Sequence, residues 1–308
     1  MNIETHDDKI SQKKHWDGKS YGTVLGYRIF YFFIKIFGIR AAYFFLLWVA
    51  LYYILRIKRI HRKAIQSFKS KYNQWDQRKK KLGFFYIFEN IYFFGKILVD
   101  RIALFLMNEK IYTVKKEGFE NLQEIAKTGG ILLSAHIGNW EMGHTFLREV
   151  HDLKCSIAML VVSDPLQKII QKDNLSVISL SSQQDVPFQI KNKLESGSLI
   201  LMHGDRFLEG MNTIQVDFMG HLAHFPTGPY YTAAILEKCI SFASIMKSGT
   251  KSYHFLCTKP KKYQWDLSRP KAEQVREWVE EYARFLEEHL KEHPEQWFNF
   301  YDFWDNKA

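Results

Sequence analysis

Residues 131–143 have the sequence ILLSAHIGNWEMG, and they contain the clearest fold signals in the chain. The apolar run Ile131–Ala135 predicts a buried strand. Gly138 permits a tight turn after this strand, and Asn139 is a good N-cap for a helix that begins at Trp140. A strand followed directly by a helix is the repeating unit of α/β folds.

This pattern recurs along the chain, because short apolar runs alternate with amphipathic segments. The other predicted strands are Ser156–Val162, Leu175–Leu180 and Ser198–Met202, and the predicted helices are Asn139–Val150, Asp164–Lys172 and Asp185–Ser196. The alternation predicts an α/β fold with a mostly parallel central sheet flanked by helices. In such sheets ligands bind beyond the carboxyl ends of the strands, so we expect the functional residues there.

His136 follows the first of these strands, and Glu141 falls in the first helical turn, where the helix dipole favours a carboxylate. Within one continuous helix the two side chains would point about 140° apart. Because the histidine precedes the helix, the chain can fold back and the two can pair. A carboxylate bonded to one imidazole nitrogen leaves the other nitrogen free to take a proton. The pair is therefore interpreted as a base and its orienter, and the alternative is a capping histidine beside a solvated glutamate.

Further polar residues follow the later strands. Arg206 lies at a predicted strand end and could bind a phosphate or a developing oxyanion. The alternative is an ordinary surface ion pair between Asp205 and Arg206. The segment Val216–Pro229 predicts a strand, a turn and a helix start set by Pro226 and Gly228, whose amides could line an anion site.

The carboxyl end combines an amphipathic helix with an aromatic tail. The helix is predicted over Pro270–Lys291, and the tail is His293–Trp304. We expect these aromatic side chains to dock the terminus onto the core rather than to contact substrate.

The composition points to a membrane surface. The 308 residues carry a net charge of +10, and 16% of them are aromatic, with 25 Phe and 16 Tyr. A hydrophobic share of 46% excludes a wholly disordered chain. Excess positive charge predicts an anionic partner, and the aromatic excess favours phospholipid. The three cysteines lie far apart, which predicts no disulfide framework and a reducing compartment.

The aromatic excess is concentrated near the amino terminus. The uncharged run Ala41–Leu55 has fifteen residues, short of the roughly 20 that span a bilayer. It is followed by Arg56–Lys81, which contains eleven Lys or Arg and one acid. We predict a polar terminus at residues 1–20, a membrane-anchoring helical segment at 21–81 and a catalytic α/β domain at 82–308. The alternative is a buried core helix with a solvated basic flank.

Two topologies suit this anchor: one tilted span, or a re-entrant or interfacial helix pair broken near Gly38. Lysines before the apolar run make its other flank basic too, which favours entry and exit by the same membrane face. A second aromatic cluster, Phe84–Phe94, is expected on the same membrane or as the roof of an apolar tunnel.

Several other site types are not supported. His221 and His224, with His203 and His144, suggest zinc, but no HExxH motif or cysteine pair accompanies them, so we predict neither a metal nor a cofactor. The sequence has no GxSxG elbow, Walker loop or GxGxxG motif. The basic block lacks a nucleic-acid motif, so no nucleic-acid partner is expected.

The order of these motifs makes the chain from about Trp16 to Trp304 resemble the bacterial lipid A biosynthesis acyltransferases, the late lauroyl/myristoyl-transferase family. The resemblance rests on the His-x4-acid motif at His136–Glu141, GDR at Gly204–Arg206, the FxG…FPTGP run at Phe218–Pro229 and the ending HPEQWF at His293–Phe298. This family is similar in fold to the glycerolipid acyltransferases and has a membrane-associated amino-terminal segment.

The resemblance implies transfer of a fatty acyl group from acyl carrier protein or coenzyme A to a hydroxyl of a lipid A precursor or related glycolipid. By the same resemblance His136 is the base and Glu141 is its partner. The predicted substrate-binding residues are Asn139, Trp140, Asp205, Arg206, Pro226 and Gly228. The expected location is the bacterial inner membrane, with the catalytic domain on its cytoplasmic face. The alternatives are acylation of another lipid or a polyene-pigment head group, and a non-catalytic lipid-binding protein.

Overall fold

The computed structural model describes residues 24–75, 81–107, 111–143, 147, 150, 153–159, 176–180, 185–207 and 210–304. The predicted polar terminus at residues 1–20, the predicted helix at residues 164–172 and His144 lie outside this part of the chain.

In the described part of the amino-terminal third, the helices are α1 (Val24–Arg56), α2 (Arg59–Trp75) and α3 (Tyr86–Met107). Helix α1 is interrupted at Gly38, whose φ of 79° and ψ of 175° are not helical. The rings of Phe33 and Phe45 are stacked with centroids 4.7 Å apart, so the two halves of α1 fold back on each other. The predicted break near Gly38 is confirmed, and we call Val24–Arg56 the N-terminal hairpin.

In the part of the chain that the structure describes, the central sheet has eight strands: β1 (Thr113–Glu117), β2 (Gly130–Ser134), β3 (Cys155–Met159), β4 (Ser176–Ser179), β5 (Leu199–His203), β8 (Cys239–Lys247), β9 (Ser252–Cys257) and β10 (Lys261–Lys262). Its order is β1-β9-β8-β2-β5-β3-β4, with β10 beside β8. Strand β2 is parallel to both of its neighbours, β5 and β8, whereas β8 and β9 are antiparallel. The predicted mostly parallel sheet is confirmed.

Helices cover both faces of this sheet, and this explains why its central strands β2 and β5 are continuous apolar runs. Within the described residues, the helices that follow are α4 (Phe119–Thr128), α5 (Val186–Glu195), α6 (Gly228–Ile235) and α7 (Lys271–Glu292). Ile131 and Leu133 belong to the same buried cluster as the apolar stripe of α7. Leu132, between them, belongs to the cluster on the opposite face, with residues of α3 and α4. Successive side chains of β2 thus fill two cores.

The region predicted as a strand, a turn and a helix start contains an additional strand. Strands β6 (Thr213–Phe218) and β7 (His221–Pro226) form an antiparallel hairpin before α6. Met219 and Gly220 at its turn have φ of 57° and 73°, as in the two-residue turns that suit hairpins. The prediction includes the turn but not β7, because Pro226 at the end of this strand is read from the sequence as a helix start.

Candidate active site at the ends of strands β2 and β5

The site begins with two neighbouring parallel strands. Ser134 of β2 is in register with His203 of β5, so the residues that follow each strand emerge at the same edge of the sheet. His136 follows β2, and Asp205 follows β5. Nδ1 of His136 lies 2.8 Å from Oδ1 of Asp205, and the backbone N–H of His136 donates to Oδ2 at 2.9 Å. One carboxylate therefore fixes both the backbone and the ring of His136.

This contact defines the protonation of the imidazole. A carboxylate can only accept, so Nδ1 carries the proton and Nε2 is left with a lone pair. The His136 side chain retains 25% of its exposure, whereas the Asp205 side chain is fully buried. Burial lowers the pKa of His136, and the nearby Arg206 lowers it further, while Asp205 opposes both. The ring is thus neutral near pH 7 and able to accept a proton at Nε2.

Asp205 is held in its charged form by its neighbours. Burial alone would raise its pKa, but His136 and Arg206 together hold the pKa of this carboxyl well below its usual range. The indole Nε1 of Trp297 donates to Oδ2 at 3.2 Å, and the hydroxyl of Tyr301 donates to the backbone carbonyl at 2.9 Å. The aromatic tail docks onto the core as predicted, and in doing so it supports the acid of the site.

His203 forms one wall beside His136. The two rings lie 4.3 Å apart, and the ring of Trp140 meets His203 edge-on at 5.2 Å. Burial and the neighbouring His136 lower the pKa of His203 to about 3, so His203 remains neutral.

The ligand atoms of His136, His203 and Asp205 all lie within 4.8 Å of one another, a set that could hold a metal ion. The hydrogen bond between His136 and Asp205 already uses two of these atoms. His224, one of the histidines that suggested zinc in the sequence, lies outside this set, and its ring nitrogens contact Thr213 and Gln215.

The turn after His136 needs glycine at one position. Gly138 has a φ of 57°, and a Cβ there would lie 2.1 Å from the carbonyl oxygen of Ile245. The aromatic tail pairs with this turn from the other side. The N–H of Gly138 donates to the carbonyl of Gln296, and the N–H of Phe298 donates to the carbonyl of His136, both at 2.9 Å. The backbone that presents His136 is thus fixed between β8 and the tail.

Asn139 caps the following helical turn, as its residue type predicted. A 3₁₀ helix spans Trp140–Met142, and the Asn139 side-chain oxygen accepts from the N–H of Met142 at 3.3 Å. The Asn139 amide nitrogen donates to the hydroxyl of Tyr253, and the residue is 0% exposed. A direct contact of Asn139 with substrate does not fit this position, because both ends of its amide are bonded inside the protein. Trp140 is half-buried beside His203.

The predicted pairing of His136 with Glu141 stays a prediction. The backbone of Glu141 lies in the 3₁₀ turn, but its side chain is outside what the structure describes. The carboxylate observed at Nδ1 belongs to Asp205, which the family resemblance predicts as a substrate-binding residue. A signal for this role existed, since Asp205 follows a strand that a parallel sheet could place beside that of His136.

Arg206 faces the interior rather than the surface. Its Nη2 donates to the carbonyl of Phe298 at 2.8 Å, and its guanidinium lies 5.6 Å from the ring centre of Tyr301. The alternative of a surface ion pair with Asp205 is wrong, because Asp205 is buried and bonded to His136. The positive charge of Arg206 is close enough to lower the pKa of His136. Pro226 ends β7 and Gly228 begins α6, and their binding role stays a prediction.

The aromatic residues after Gly83 divide into two groups. Phe84 and Phe85 are strongly exposed and precede α3. Phe94 packs against Phe298 with ring centroids 5.2 Å apart, so this part of the cluster supports the tail.

The chain as a whole is similar to known acyltransferases. The family model of the bacterial lipid A biosynthesis acyltransferases matches residues 10–305. Among solved structures, the 1-acyl-sn-glycerophosphate (LPA) acyltransferase PlsC from Thermotoga maritima is similar, with 15% sequence identity and a TM-score of 0.39. That match covers 87% of this chain and 96% of the PlsC chain. A search of curated proteins gives no match.

Proposed function

The chain belongs to the bacterial lipid A biosynthesis acyltransferase family, whose members act on lipids, and we propose that it moves a fatty acyl group from a thioester to a hydroxyl of a lipid A precursor or related glycolipid. The proposed donor is an acyl carrier protein or coenzyme A. The observation that supports this chemistry best is the contact of His136 Nδ1 with Asp205 at the ends of two parallel strands, which leaves Nε2 free to accept a proton.

The reaction needs one base and an anion-stabilising group. Nε2 of His136 takes the proton of the acceptor hydroxyl as its oxygen attacks the thioester carbonyl, and Asp205 stabilises the imidazolium that forms. The tetrahedral oxyanion then collapses, the carbon–sulfur bond breaks, and the thiolate takes the proton back from Nε2. Arg206 is our candidate for stabilising the oxyanion. Glu141 remains a second candidate partner of the imidazole.

The test of this proposal is lipid mass spectrometry on cells that contain or lack the protein. We expect one lipid species to gain a single acyl mass when the protein is present, because acyl transfer leaves that increment on its acceptor. The mass gives the acyl chain, and fragmentation identifies the acceptor. The His136→Ala protein is the control and should leave the lipids unchanged.

The outcome also separates the alternatives. An acyl increment on a pigment or on a lipid unrelated to lipid A would replace the proposed acceptor but keep the acyltransferase. The same lipids in cells with the intact protein, the His136→Ala protein or no protein would contradict an acyl transfer and favour a lipid-binding protein.

We further propose that the N-terminal hairpin enters the cytoplasmic face of the inner membrane and leaves by that face. Within the described residues, one helix, Leu25–Arg56, is long and apolar enough to cross a membrane, but it is broken at Gly38. Phe44, Trp48 and Leu55 of this hairpin are exposed. Exposed cations follow at once, among them Arg59 and Lys63. A two-legged apolar element beside a basic surface suits insertion into one leaflet of anionic phospholipid.

This topology predicts that the protein sediments with membranes and is released by detergent but not by 1 M salt. Salt screens electrostatic contacts beyond about 3 Å at 1 M, whereas apolar burial is not screened. Trp48→Asp should lower the membrane–water partition coefficient, measured by sedimentation with vesicles, by about tenfold, since it places a charge in the apolar layer. The control is Phe188→Asp on α5, because Phe188 has nearly the same exposure, 64% against 63%. Complete release by salt, or equal losses in the two variants, would contradict the hairpin anchor.

A further inference from the structure

We propose that Asp100 and Lys247 form a positioning centre for the active site, which holds the turn after His136 and ties it to the N-terminal hairpin. This inference rests on the proposed function, because the turn is taken to present the base of the reaction. Neither residue contacts His136, so both act through other groups.

The centre is a buried ion pair surrounded by tyrosines. Nζ of Lys247 lies 2.6 Å from Oδ2 of Asp100, and the two side chains are 3% and 0% exposed. The hydroxyl of Tyr112 donates to Oδ1 at 3.0 Å, and those of Tyr43 and Tyr253 also donate to this carboxylate. Burial lowers the pKa of Lys247, and Asp100 opposes that shift. A buried ion pair is a poor source of stability compared with apolar packing, so a role in defining geometry is the better explanation.

Two routes lead from this centre to the turn. In the first, the Tyr253 hydroxyl that donates to Asp100 also accepts from the side-chain amide of Asn139 at 3.1 Å. Asn139 then caps the helical turn through Met142. The first route therefore ends three residues beyond His136.

The second route runs through the backbone of Lys247. Its N–H and carbonyl bond to the side-chain amide of Gln296 at 2.9 and 2.8 Å. The backbone carbonyl of Gln296 in turn accepts from the N–H of Gly138. The two routes meet at adjacent residues, Gly138 and Asn139, so the centre fixes the turn from both sides.

The centre also connects the turn with the N-terminal hairpin. Asp100 lies in α3, and Tyr43 lies in the second half of the N-terminal hairpin. Because Tyr43 donates to the same carboxylate as Tyr253, a shift of the hairpin is transmitted to the group that holds Asn139. A displacement of about 1 Å at a catalytic group can cost about 10²-fold in rate, so this connection matters for turnover.

The test compares two substitutions that each remove one tyrosine hydroxyl that donates to the Asp100 carboxylate. Tyr253→Phe also removes the acceptor of Asn139, whereas Tyr112→Phe leaves Asn139 untouched. Both variants keep an aromatic ring near the Lys247 ammonium. We expect Tyr253→Phe to lower kcat about tenfold with KM changed less than about twofold, and Tyr112→Phe to stay within about twofold of wild type, since only the first severs a route to the turn.

A second measurement on the same proteins does not depend on turnover. Deuterium exchange of the peptide covering residues 137–142 should be about tenfold faster in Tyr253→Phe than in Tyr112→Phe. Each variant is measured at the same interval below its own melting temperature. Equal exchange and equal kcat in the two variants would overturn the positioning role and leave the centre as a stabilising cluster. A wild-type protein without acyl transfer would contradict the proposed function, but the exchange result would still decide whether the centre holds the turn.

Discussion

His136→Ala is expected to lower turnover by about 10²- to 10⁴-fold, the range for losing one positioned proton acceptor. Asp205→Asn should cost a similar factor, because the imidazolium then loses the carboxylate that stabilises it and fixes its tautomer. The double variant should lose little more than either single variant, since groups that act as a unit are strongly non-additive. Initial rates with an acyl thioester, measured beside melting temperatures, check this result.

The pH dependence of kcat/KM tests independently whether Asp205 is the partner of His136. Its carboxylate raises the pKa of His136, against the effects of burial and of Arg206. Removing that negative charge in Asp205→Asn should therefore lower the pKa of His136 and move the acid limb of kcat/KM to lower pH. A shift to higher pH would contradict the assignment of this carboxylate as the partner.

Glu141→Gln is the matched comparison for the same pair. If Asp205 orients the imidazole, the acid limb in Glu141→Gln should stay near its wild-type position. If Glu141 is instead the partner, as its place in the His-x4-acid motif predicts, that variant should show the shift and Asp205→Asn should not.

Gly138→Ala is expected to lower the free energy of unfolding by about 2–5 kcal/mol. The alanine Cβ is unfavourable at the positive φ of this position, and it also overpacks the contact with β8. The added methyl group would lie 2.1 Å from the carbonyl oxygen of Ile245, and this backbone cannot move without shifting β8. Turnover of the folded fraction should fall about 10²-fold, since the same turn presents His136. Denaturant unfolding and initial rates measure the two effects.

Gly197→Ala is the control for this substitution. Gly197 has a φ of +79°, but a Cβ there meets nothing within 4 Å. It should cost only the conformational part, about 1–2 kcal/mol, with near-normal turnover. Equal losses in the two alanine variants would show that the contact with Ile245 is unimportant.

Several features could be predicted because their signals lie within a few neighbouring residues. The apolar runs at Ile131–Ala135 and Ser198–Met202 correspond to β2 and β5 within a residue or two. The Asn139 cap and the break at Gly38 also depend on the local preferences of single residue types. The family resemblance used motif order along the chain and agreed with the family match.

The partner of His136 could not be chosen in this way. Glu141 is close in sequence, whereas Asp205 is 69 residues away and reaches His136 only because β5 lies directly beside β2. Strand β7 is not predicted for a related reason, since its pairing with β6 makes Pro226 the end of a strand, where the local sequence predicts a helix start. The sequence suggests an acid for the histidine, but strand order decides which acid is observed there.

Local chemistry along the chain was therefore sufficient for the class of fold, and it suggested a break near Gly38 and His136 as the candidate base. Short-range sterics and the spacing of apolar residues carry these features, and both can be read from the residues alone. The Asp205 contact, the role of the aromatic tail and the Asp100–Lys247 centre depended on the folded chain, because each joins elements that are distant in sequence. Such contacts form only after the sheet order and helix packing bring those elements together.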